Sequence, residues 1–175
     1  MSKTQLKKEL ARMTAQQMAE MILDLYDARP EAKEYLDFFI RPDVDAKLEK
    51  AKAAVRKEMW RTSRGRSRAR TSRMKRFIKD ISSLNPGPEA VVEIMVYTIE
   101  QACDASAEQY IKESTQRALA KMMAETLVAA DRAGLLSDAL PRIESAIAAM
   151  PSGFLRTNDF KKLLKHTLKE TVESL

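Results

Sequence analysis

Apolar residues recur every three or four positions along most of the chain, which is the spacing of amphipathic helices. In the first third of the sequence this spacing predicts four helices. They run from about Lys3 to Arg12, from a capping box formed by Thr14 and Gln17, from Pro30 to Arg41-Pro42, and from a cap at Asp43 or Asp45. No segment shows a sustained alternation of apolar and polar residues, which is the pattern of a strand, so no strand is predicted.

The helical spacing breaks between Arg61 and Arg70 and then returns. The first predicted helix runs from Thr71 or Ser72 to the turn Asn85-Pro86-Gly87-Pro88, and a buried helix follows up to a weak point at Asp104 to Ser106. A long helix then runs to about Ala133, where Gly134 caps it. The last two helices run from Ser137 to Pro151 and, starting at Thr157 or Asn158, over about 157–174. The sequence therefore predicts an all-α fold of eight or nine short-to-medium helices, without β-sheet, in a single domain over residues 1–175. The layout fits stacked helical pairs, as in an α-α superhelix, or an irregular bundle.

The composition excludes several classes of protein. Of 175 residues, 45% are hydrophobic and 32% are charged, so the chain can form a core and is not a low-hydrophobicity disordered chain. Its four glycines are far apart, which excludes the phosphate loops of P-loop and dinucleotide-binding enzymes. The single cysteine, Cys103, excludes an intrachain disulfide and is expected to be a buried structural thiol. No secretion signal and no run of about 18 apolar residues is present, so we expect a cytoplasmic protein with no membrane partner.

The net charge of +6 is concentrated in one segment. The nineteen residues from Arg61 to Lys79 contain nine Lys or Arg and no Asp or Glu. The rest of the chain carries 22 basic and 25 acidic residues, so the two parts contribute +9 and −3. An otherwise slightly acidic helical protein therefore carries one cationic segment, and nucleic acid or another polyanion is the partner that such a segment suggests.

Both halves of this segment suggest anion binding. In a basic loop at about 61–71, arginines alternate with small residues, which in an extended chain places them on one side about 6.6 Å apart. The next helix has cations in its first turn, where the helix dipole disfavours them unless an anion binds the free N–H groups. The candidate anion-binding or nucleic-acid-binding residues are Arg64, Arg66, Arg68, Arg70, Ser72, Arg73, Lys75 and Arg76. Of these, Ser72, Arg73 and Arg76 are predicted to surround a phosphate or carboxylate.

A structural explanation of the basic segment stays open beside the functional one. The loop could be solvated, or it could pair with acidic residues on neighbouring helices, such as Glu20, Asp24 and Asp27. No aromatic residue interrupts the arginines from 61 to 76, so the base stacking typical of proteins that bind single-stranded nucleic acid is absent.

No other group of residues predicts catalysis or a metal site. His166 is the only histidine and, with Glu170 one turn later, is expected to face solvent. Asp43-x-Asp45 lacks the glycine and the closing glutamate of a calcium loop. We therefore predict no metal and no cofactor, and favour a non-enzymatic role over an enzyme of unusual type. The last helix, about 157–174, carries an apolar stripe flanked by lysines, which either packs on the domain or joins a partner helix or second subunit.

Several motifs resemble those of a known family. They are Ser2-Lys3-x-x-Leu6-Lys7-Lys8-Glu9-Leu10, Leu25-Tyr26, Lys33-Glu34-Tyr35-Leu36-Asp37-Phe38-Phe39 with Pro42, Leu84-Asn85-Pro86-x-Pro88-Glu89, Met95 with Tyr97 and Glu100, and Gly134-Leu135-Leu136. Over roughly residues 1–150 the chain resembles an uncharacterised bacterial family catalogued as domain of unknown function 6155. The resemblance implies an all-helical bacterial cytoplasmic protein, and it supplies no activity, ligand or catalytic residue.

Two functions are therefore expected from the sequence. The first is a helical protein-interaction scaffold, with self-association or a protein partner through the C-terminal helix as one version. The second is binding of nucleic acid or another polyanion through residues 61–79.

Overall fold

The computed structural model describes residues 2–60, 69–151 and 155–175, the first four of this last range by their backbone alone. Within these ranges the chain forms nine α-helices and no strand, which confirms the all-α prediction. The helices are α1 (Lys3–Leu10), α2 (Ala15–Ala28), α3 (Pro30–Ile40), α4 (Val44–Met59), α5 (Thr71–Ser83), α6 (Pro88–Glu108), α7 (Glu113–Arg132), α8 (Leu136–Ala149) and α9 (Leu155–Ser174). They form two compact units, residues 1–43 with α1 to α3 and residues 44–175 with α4 to α9. Whether the two units act as one domain, as expected from the sequence, stays a prediction.

The helices of the first unit begin where capping residues stand. The side chains of Ser2 and Thr14 accept hydrogen bonds from the backbone N–H groups of Gln5 and Gln17, each at 3.2 Å. Both glutamine side chains accept a bond in return, so α1 and α2 each begin with a capping box. Pro30 lies in the first turn of α3, where its missing N–H costs no helical hydrogen bond. The predicted capping box at Thr14 and the predicted start at Pro30 are confirmed.

Helices α2 and α3 pack against each other as a hairpin. The hydroxyl of Tyr26 donates to Asp37 Oδ1 at 3.0 Å, which links the two helices. Lys33 Nζ lies 5.0 Å from the centroid of the Tyr26 ring. Phe38 is the only buried side chain among the described residues of this unit, so three helices share almost no core.

In the second unit α6 is the central helix. It packs against α4, α5, α7 and α8, while α9 packs against α7 and α8. Buried residues lie on more than one side of α6, among them Val92, Ile94, Val96 and Ile99. A helix that is apolar on several sides lies in the interior of a bundle, which is where this one is found.

The core of the second unit receives side chains from the last helix as well. The largest of its fully buried side chains are Phe160, Met59, Met74, Ile94, Ile99, Leu119, Met123, Leu127, Ile143 and Leu164. Phe160 and Leu164 belong to α9, so the apolar stripe of the C-terminal helix packs on its own chain, which is one of the two expected arrangements. The helix begins at Leu155, two residues before the predicted start at Thr157.

The break between α6 and α7 lies later than predicted. The helix continues through the expected weak point at Asp104 to Ser106 and ends at Glu108. Ser106 is buried, and its hydroxyl donates to the Cys103 carbonyl oxygen at 2.7 Å, so packing keeps this stretch helical in spite of its low helix propensity. The connection to α7 is formed by residues 109–112.

Gly134 ends α7 as predicted. Its φ is +70°, a conformation that glycine adopts without strain. Its N–H donates to the Asp131 carbonyl oxygen at 2.9 Å, and the Leu135 N–H donates to that of Ala130 at 2.8 Å. These two bonds form the Schellman motif, which satisfies the last carbonyl groups of the helix.

Candidate functional site

A buried carboxylate stands just before the basic segment. Glu58 lies in the last turn of α4, and its side chain is 4% exposed. Ala51, Val55 and Glu58 are spaced at i, i+4 and i+7, so all three lie on the buried face of the helix. A carboxylate removed from water needs a cation or hydrogen-bond donors beside it.

Arg70 supplies the cation. Its Nε and Nη2 donate to the two carboxylate oxygens of Glu58 at 2.5 and 3.1 Å, which is a two-pronged pair. Arg73 Nη1 lies 3.6 Å from Glu58 Oε2. The hydrogen bond to Glu58 raises the pKa of Arg70, while burial opposes it. Two predicted anion-binding arginines therefore share a protein carboxylate.

A backbone hydrogen bond joins the chain just before α5 to the last turn of α4 at the same place. The N–H of Ala69 donates to the carbonyl oxygen of Glu58 at 2.8 Å, and Ala69 is buried with a φ of +36°. The predictions for Arg64, Arg66 and Arg68 lie outside the described residues. The backbone at Ala69 is therefore held to the last turn of α4.

The first turn of α5 differs from the predicted cap. The N-cap residue is Arg70, which makes no side-chain capping bond, and the helix already includes Thr71 and Ser72. The predicted start at Thr71 or Ser72 is confirmed, because α5 begins at Thr71, but neither residue is its N-cap. Ser72 and Arg73 are exposed in the first turn.

The other two described candidates lie further along α5. Lys75 Nζ lies 3.1 and 2.9 Å from the carboxylate oxygens of Glu125 on α7. Arg76 Nε lies 3.9 Å from Asp80 Oδ2, and its side chain is 79% exposed. Described residues of the segment therefore pair with Glu58 and Glu125 on neighbouring helices, while pairing of the loop with Glu20, Asp24 or Asp27 stays a prediction. An anion surrounded by Ser72, Arg73 and Arg76 stays a prediction.

Glutamine side chains hold the C-terminal end of α4. Gln109 Nε2 donates to the Met59 carbonyl oxygen at 2.7 Å, and Trp60 Nε1 donates to Gln101 Oε1 at 3.1 Å. Gln109 Oε1 is buried and has no hydrogen-bond partner among the described residues. The end of α4, where the cationic segment begins, is thus fixed to α6 and to the connection that follows it.

A network of charged side chains links α4, α6 and α8. Arg142 Nε and Nη2 donate to the two oxygens of Glu100 at 2.9 and 3.0 Å, and Arg142 Nη1 donates to Glu93 Oε2 at 2.5 Å. Lys52 Nζ lies 2.9 Å from Glu93 Oε1 and 5.5 Å from the centroid of the Tyr97 ring. One guanidinium therefore bridges two carboxylates that lie two turns apart on the same face of α6.

The network shifts the pKa values of its members. The hydrogen bond to Arg142 lowers the pKa of Glu93, and the bonds to Glu100 and Glu93 raise the pKa of Arg142. The bond to Glu93 raises the pKa of Lys52. Burial raises the pKa of nearby Asp104. The shifts of Glu93, Arg142 and Lys52 are consistent with ion pairs that stabilise the bundle.

A cavity of about 470 Å³ opens beside this network, and one of about 570 Å³ lies beside the connection between α6 and α7. The first is lined by Glu100, Gln101, Asp104, Pro141, Arg142, Ser145 and Ala146, and the second by Tyr110, Glu113, Gln116, Arg117, Asp159 and Leu163. Neither contains a nucleophile beside a general base. Among the described residues, no three His, Cys, Asp or Glu side chains are placed to hold a metal ion.

The two single residues considered from the sequence lie as expected. Cys103 is buried, and burial raises the pKa of its thiol to about 12, so it is not a nucleophile at neutral pH. His166 Nε2 lies 3.3 Å from Glu170 Oε1, with both side chains exposed. No helix in the described parts of the chain is long and apolar enough to cross a membrane.

Most of the exposed large apolar side chains of the described chain lie in the first unit. Eight large apolar side chains there are between 39% and 73% exposed, compared with two in the second unit. The eight are Leu6, Met21, Ile22, Leu23, Leu25, Tyr35, Phe39 and Ile40, which we call the apolar face. The rings of Tyr35 and Phe39 stack with centroids 6.5 Å apart. Surfaces of this kind mark interaction sites in soluble proteins.

Sequence reasoning missed both Glu58 and the apolar face. Glu58 was detectable, because its phase on α4 places it among buried residues. The apolar face was not, since the same helical spacing describes a stripe that packs in a core and one that remains exposed.

The fold and these sites define an all-helical protein with a well-packed bundle and a helical unit that lacks a core. A family of unknown function, DUF6155, matches residues 1–165, and the chain belongs to it. The match confirms the resemblance noted from the sequence and extends it into α9. No curated protein and no solved structure gives a significant match.

Proposed function

We propose that the protein is a non-enzymatic helical interaction protein of the bacterial cytoplasm that binds protein through the apolar face of its first unit. One observation carries this proposal. The first unit has 43 residues and three helices, yet Phe38 is its only buried side chain among those described. Helical segments of this size are marginal without a core, so the unit gains stability by burying apolar surface against a partner.

The second unit supports the proposal by its contrast. Its helices bury long apolar side chains such as Leu119, Leu127 and Ile143 completely. Apart from the apolar face, Tyr110 and Leu175 are the large apolar side chains exposed in the described residues. The second unit is thus suited to be the rigid scaffold, and the first to be the recognition surface.

The experiment compares co-purification of proteins with tagged full-length variants after cross-linking in cells. The face variant is Ile22→Ser with Phe39→Ser, and the matched control is Leu175→Ser, because Leu175 and Ile22 are both 45% exposed. We expect the wild type and the control to retain the same proteins, including untagged copies of the chain, and the face variant to lose them at least tenfold. Retention of the same proteins by all three, or of none by the wild type, would contradict the proposal.

Polyanion binding through residues 61–79 is the second candidate. The observation that favours it is the closure at Glu58, where the carbonyl and carboxylate hold Ala69 and Arg70. Between these anchors the sequence has four arginines and no acidic residue. A run of arginines without acidic residues favours contact with phosphates.

A salt titration of binding to generic DNA and RNA tests this candidate. The variant is Arg64→Ala, Arg66→Ala and Arg68→Ala together, and the control replaces the exposed Lys162, Lys165 and Lys169 of α9 by Ala. We expect binding that weakens steeply with salt, with a slope reduced by about 2 to 3 in the arginine variant and unchanged in the control. Absence of binding at low salt would exclude this function.

A further inference from the structure

The surface charge of the first unit is divided between its elements. The stretch from Ser2 to Met13, which contains α1, has the cations Lys3, Lys7, Lys8 and Arg12 against one anion, Glu9, a net charge of +3. The hairpin of α2 and α3 has the acids Glu20, Asp24, Asp27, Glu31, Glu34 and Asp37 against Arg29 and Lys33, a net charge of −4. All the charged side chains of this unit are exposed.

Helix α1 is itself amphipathic and uncovered. Leu6 and Leu10 are spaced at i and i+4 and share one side of the helix. None of the residues of α1 is buried, and Leu6 is 40% exposed. A basic amphipathic helix and an acidic apolar hairpin are complementary in both charge and hydrophobicity.

Resting on the function proposed above, we propose that the partner of the apolar face is a second copy of this chain, with α1 of each copy lying on the α2–α3 hairpin of the other. The arrangement is reciprocal, so a single two-fold axis generates both contacts and closes the assembly as a dimer. Cations of α1 then face acids of the hairpin on both sides of the axis. Two hairpins packed directly on each other would instead bring two net charges of −4 together.

The size of the apolar face agrees with a dimer interface. Eight large side chains that are 39% to 73% exposed present roughly 700 Å² of mostly apolar area per copy. A stable protein interface of standard size buries about 800 Å² per partner. The exposed apolar area of the first unit is therefore of the same order as one side of such an interface.

Charge reversal on the full-length chain tests the arrangement. One variant carries Lys3→Glu and Lys7→Glu on α1, and the other carries Asp24→Lys and Glu31→Lys on the hairpin. The mass of each is measured by light scattering over a range of protein concentration, with circular dichroism to check helical content. We expect a dimer for the wild type, a dissociation constant raised about tenfold or more for each variant alone at low salt, and recovery of the dimer when the two variants are mixed.

The mixing step is decisive because it separates contacts between copies from contacts within one. In a mixed pair, one α1–hairpin contact keeps the wild-type net charges of +3 and −4, and the other joins −1 to 0 in place of the repulsion between −1 and −4, so recovery requires that α1 acts on the other copy. A wild type that is a monomer at every concentration, or variants that dimerise as well as the wild type, would overturn the dimer. If no dimer forms but the Ile22→Ser, Phe39→Ser variant still loses a different protein in the cross-linking experiment, the function proposed above survives and this inference fails. If the charge variants keep the dimer of the wild type and the Ile22→Ser, Phe39→Ser variant keeps its bound proteins, both the proposed function and this inference are contradicted.

Discussion

Replacing Arg142 by methionine should destabilise the second unit more than replacing an arginine whose partner is also exposed. The change removes the guanidinium that bridges Glu93 and Glu100 and keeps much of the side chain's length. Glu93 retains Lys52 at 2.9 Å, whereas Glu100 loses its two-pronged partner. The carboxylates are 27% and 25% exposed, so part of their cost of leaving water is no longer offset.

The magnitude lies between two limits. Removing one partner of a fully buried pair costs about 3 to 5 kcal/mol, and an exposed pair contributes about 0.2 to 1 kcal/mol. Arg142 is 40% exposed, so solvent screens its pairs and the expected loss is about 2 kcal/mol. For a chain of this length that corresponds to a melting temperature lower by roughly 4 to 8 °C.

The measurement is urea unfolding followed by circular dichroism, with Arg117→Met as the matched control. Arg117 pairs with Glu113 one turn away, and both side chains are more than 70% exposed, so its replacement should cost at most about 0.5 kcal/mol. A double-mutant cycle of Arg142→Met with Glu100→Gln should show a coupling of about 1 kcal/mol or more. Equal losses for the two arginine variants, or additive changes in the cycle, would refute the reasoning.

The same network predicts a dependence on pH. The pKa of Glu93 is lowered in the folded state, chiefly by its hydrogen bond to Arg142. Its contribution to stability is therefore present above the carboxyl pKa of the unfolded chain, about 4.3, and is lost as the pH falls through the lower folded pKa. Burial raises the pKa of Asp104, so its ionisation opposes the stability gained from Glu93 as the pH rises, and it does so in both the wild type and Arg142→Met. Stability should fall less steeply on acidification in Arg142→Met than in the wild type.

Three further results are expected. Glu58→Gln should lower the melting temperature, because Arg70 loses its charged partner. Glu58→Asp should lower it too, since the shorter side chain does not reach both donors of Arg70. A melting curve unchanged in Glu58→Gln would show that the pair adds no stability. Gly134→Ala should lower the free energy of unfolding in urea by about 1 kcal/mol. The loss comes entirely from the backbone at φ +70°, because a Cβ there would meet no atom within 4 Å. An unchanged free energy of unfolding would contradict the backbone strain. Cys103 should react with a thiol reagent at pH 8 only as fast as the native fold opens, and rapid labelling without denaturant would exclude its burial.

The helices could be predicted from the sequence because their determinants are local. The capping box at Thr14, the proline at the start of α3 and the glycine after α7 each act within a few residues. The connection between α6 and α7 was misplaced because its position depends on tertiary contacts. Gln109 Nε2 bonds to the carbonyl oxygen of Met59, fifty residues earlier, and no local pattern encodes that bond.

The candidate site was predictable in composition but not in its partners. The concentration of arginine is visible in the sequence, whereas the pairing of Arg70 with Glu58 requires α4 and α5 to be packed together. The apolar face was beyond prediction for a different reason. Periodicity identifies which residues share a side of α2 or α3, but it does not show whether another part of the chain covers that side.

The bond between the Ala69 N–H and the Glu58 carbonyl oxygen also bears on how this family can vary and be engineered. Because Ala69 is bonded to Glu58, the number of residues between these two anchors can change while α4 and α5 keep their positions. Each doubling of that length costs only about 0.6 kcal/mol of loop-closure free energy. Insertions and deletions among relatives should therefore accumulate there. A reporter peptide or a small folded domain could be inserted at the same place with little effect on the helical bundle.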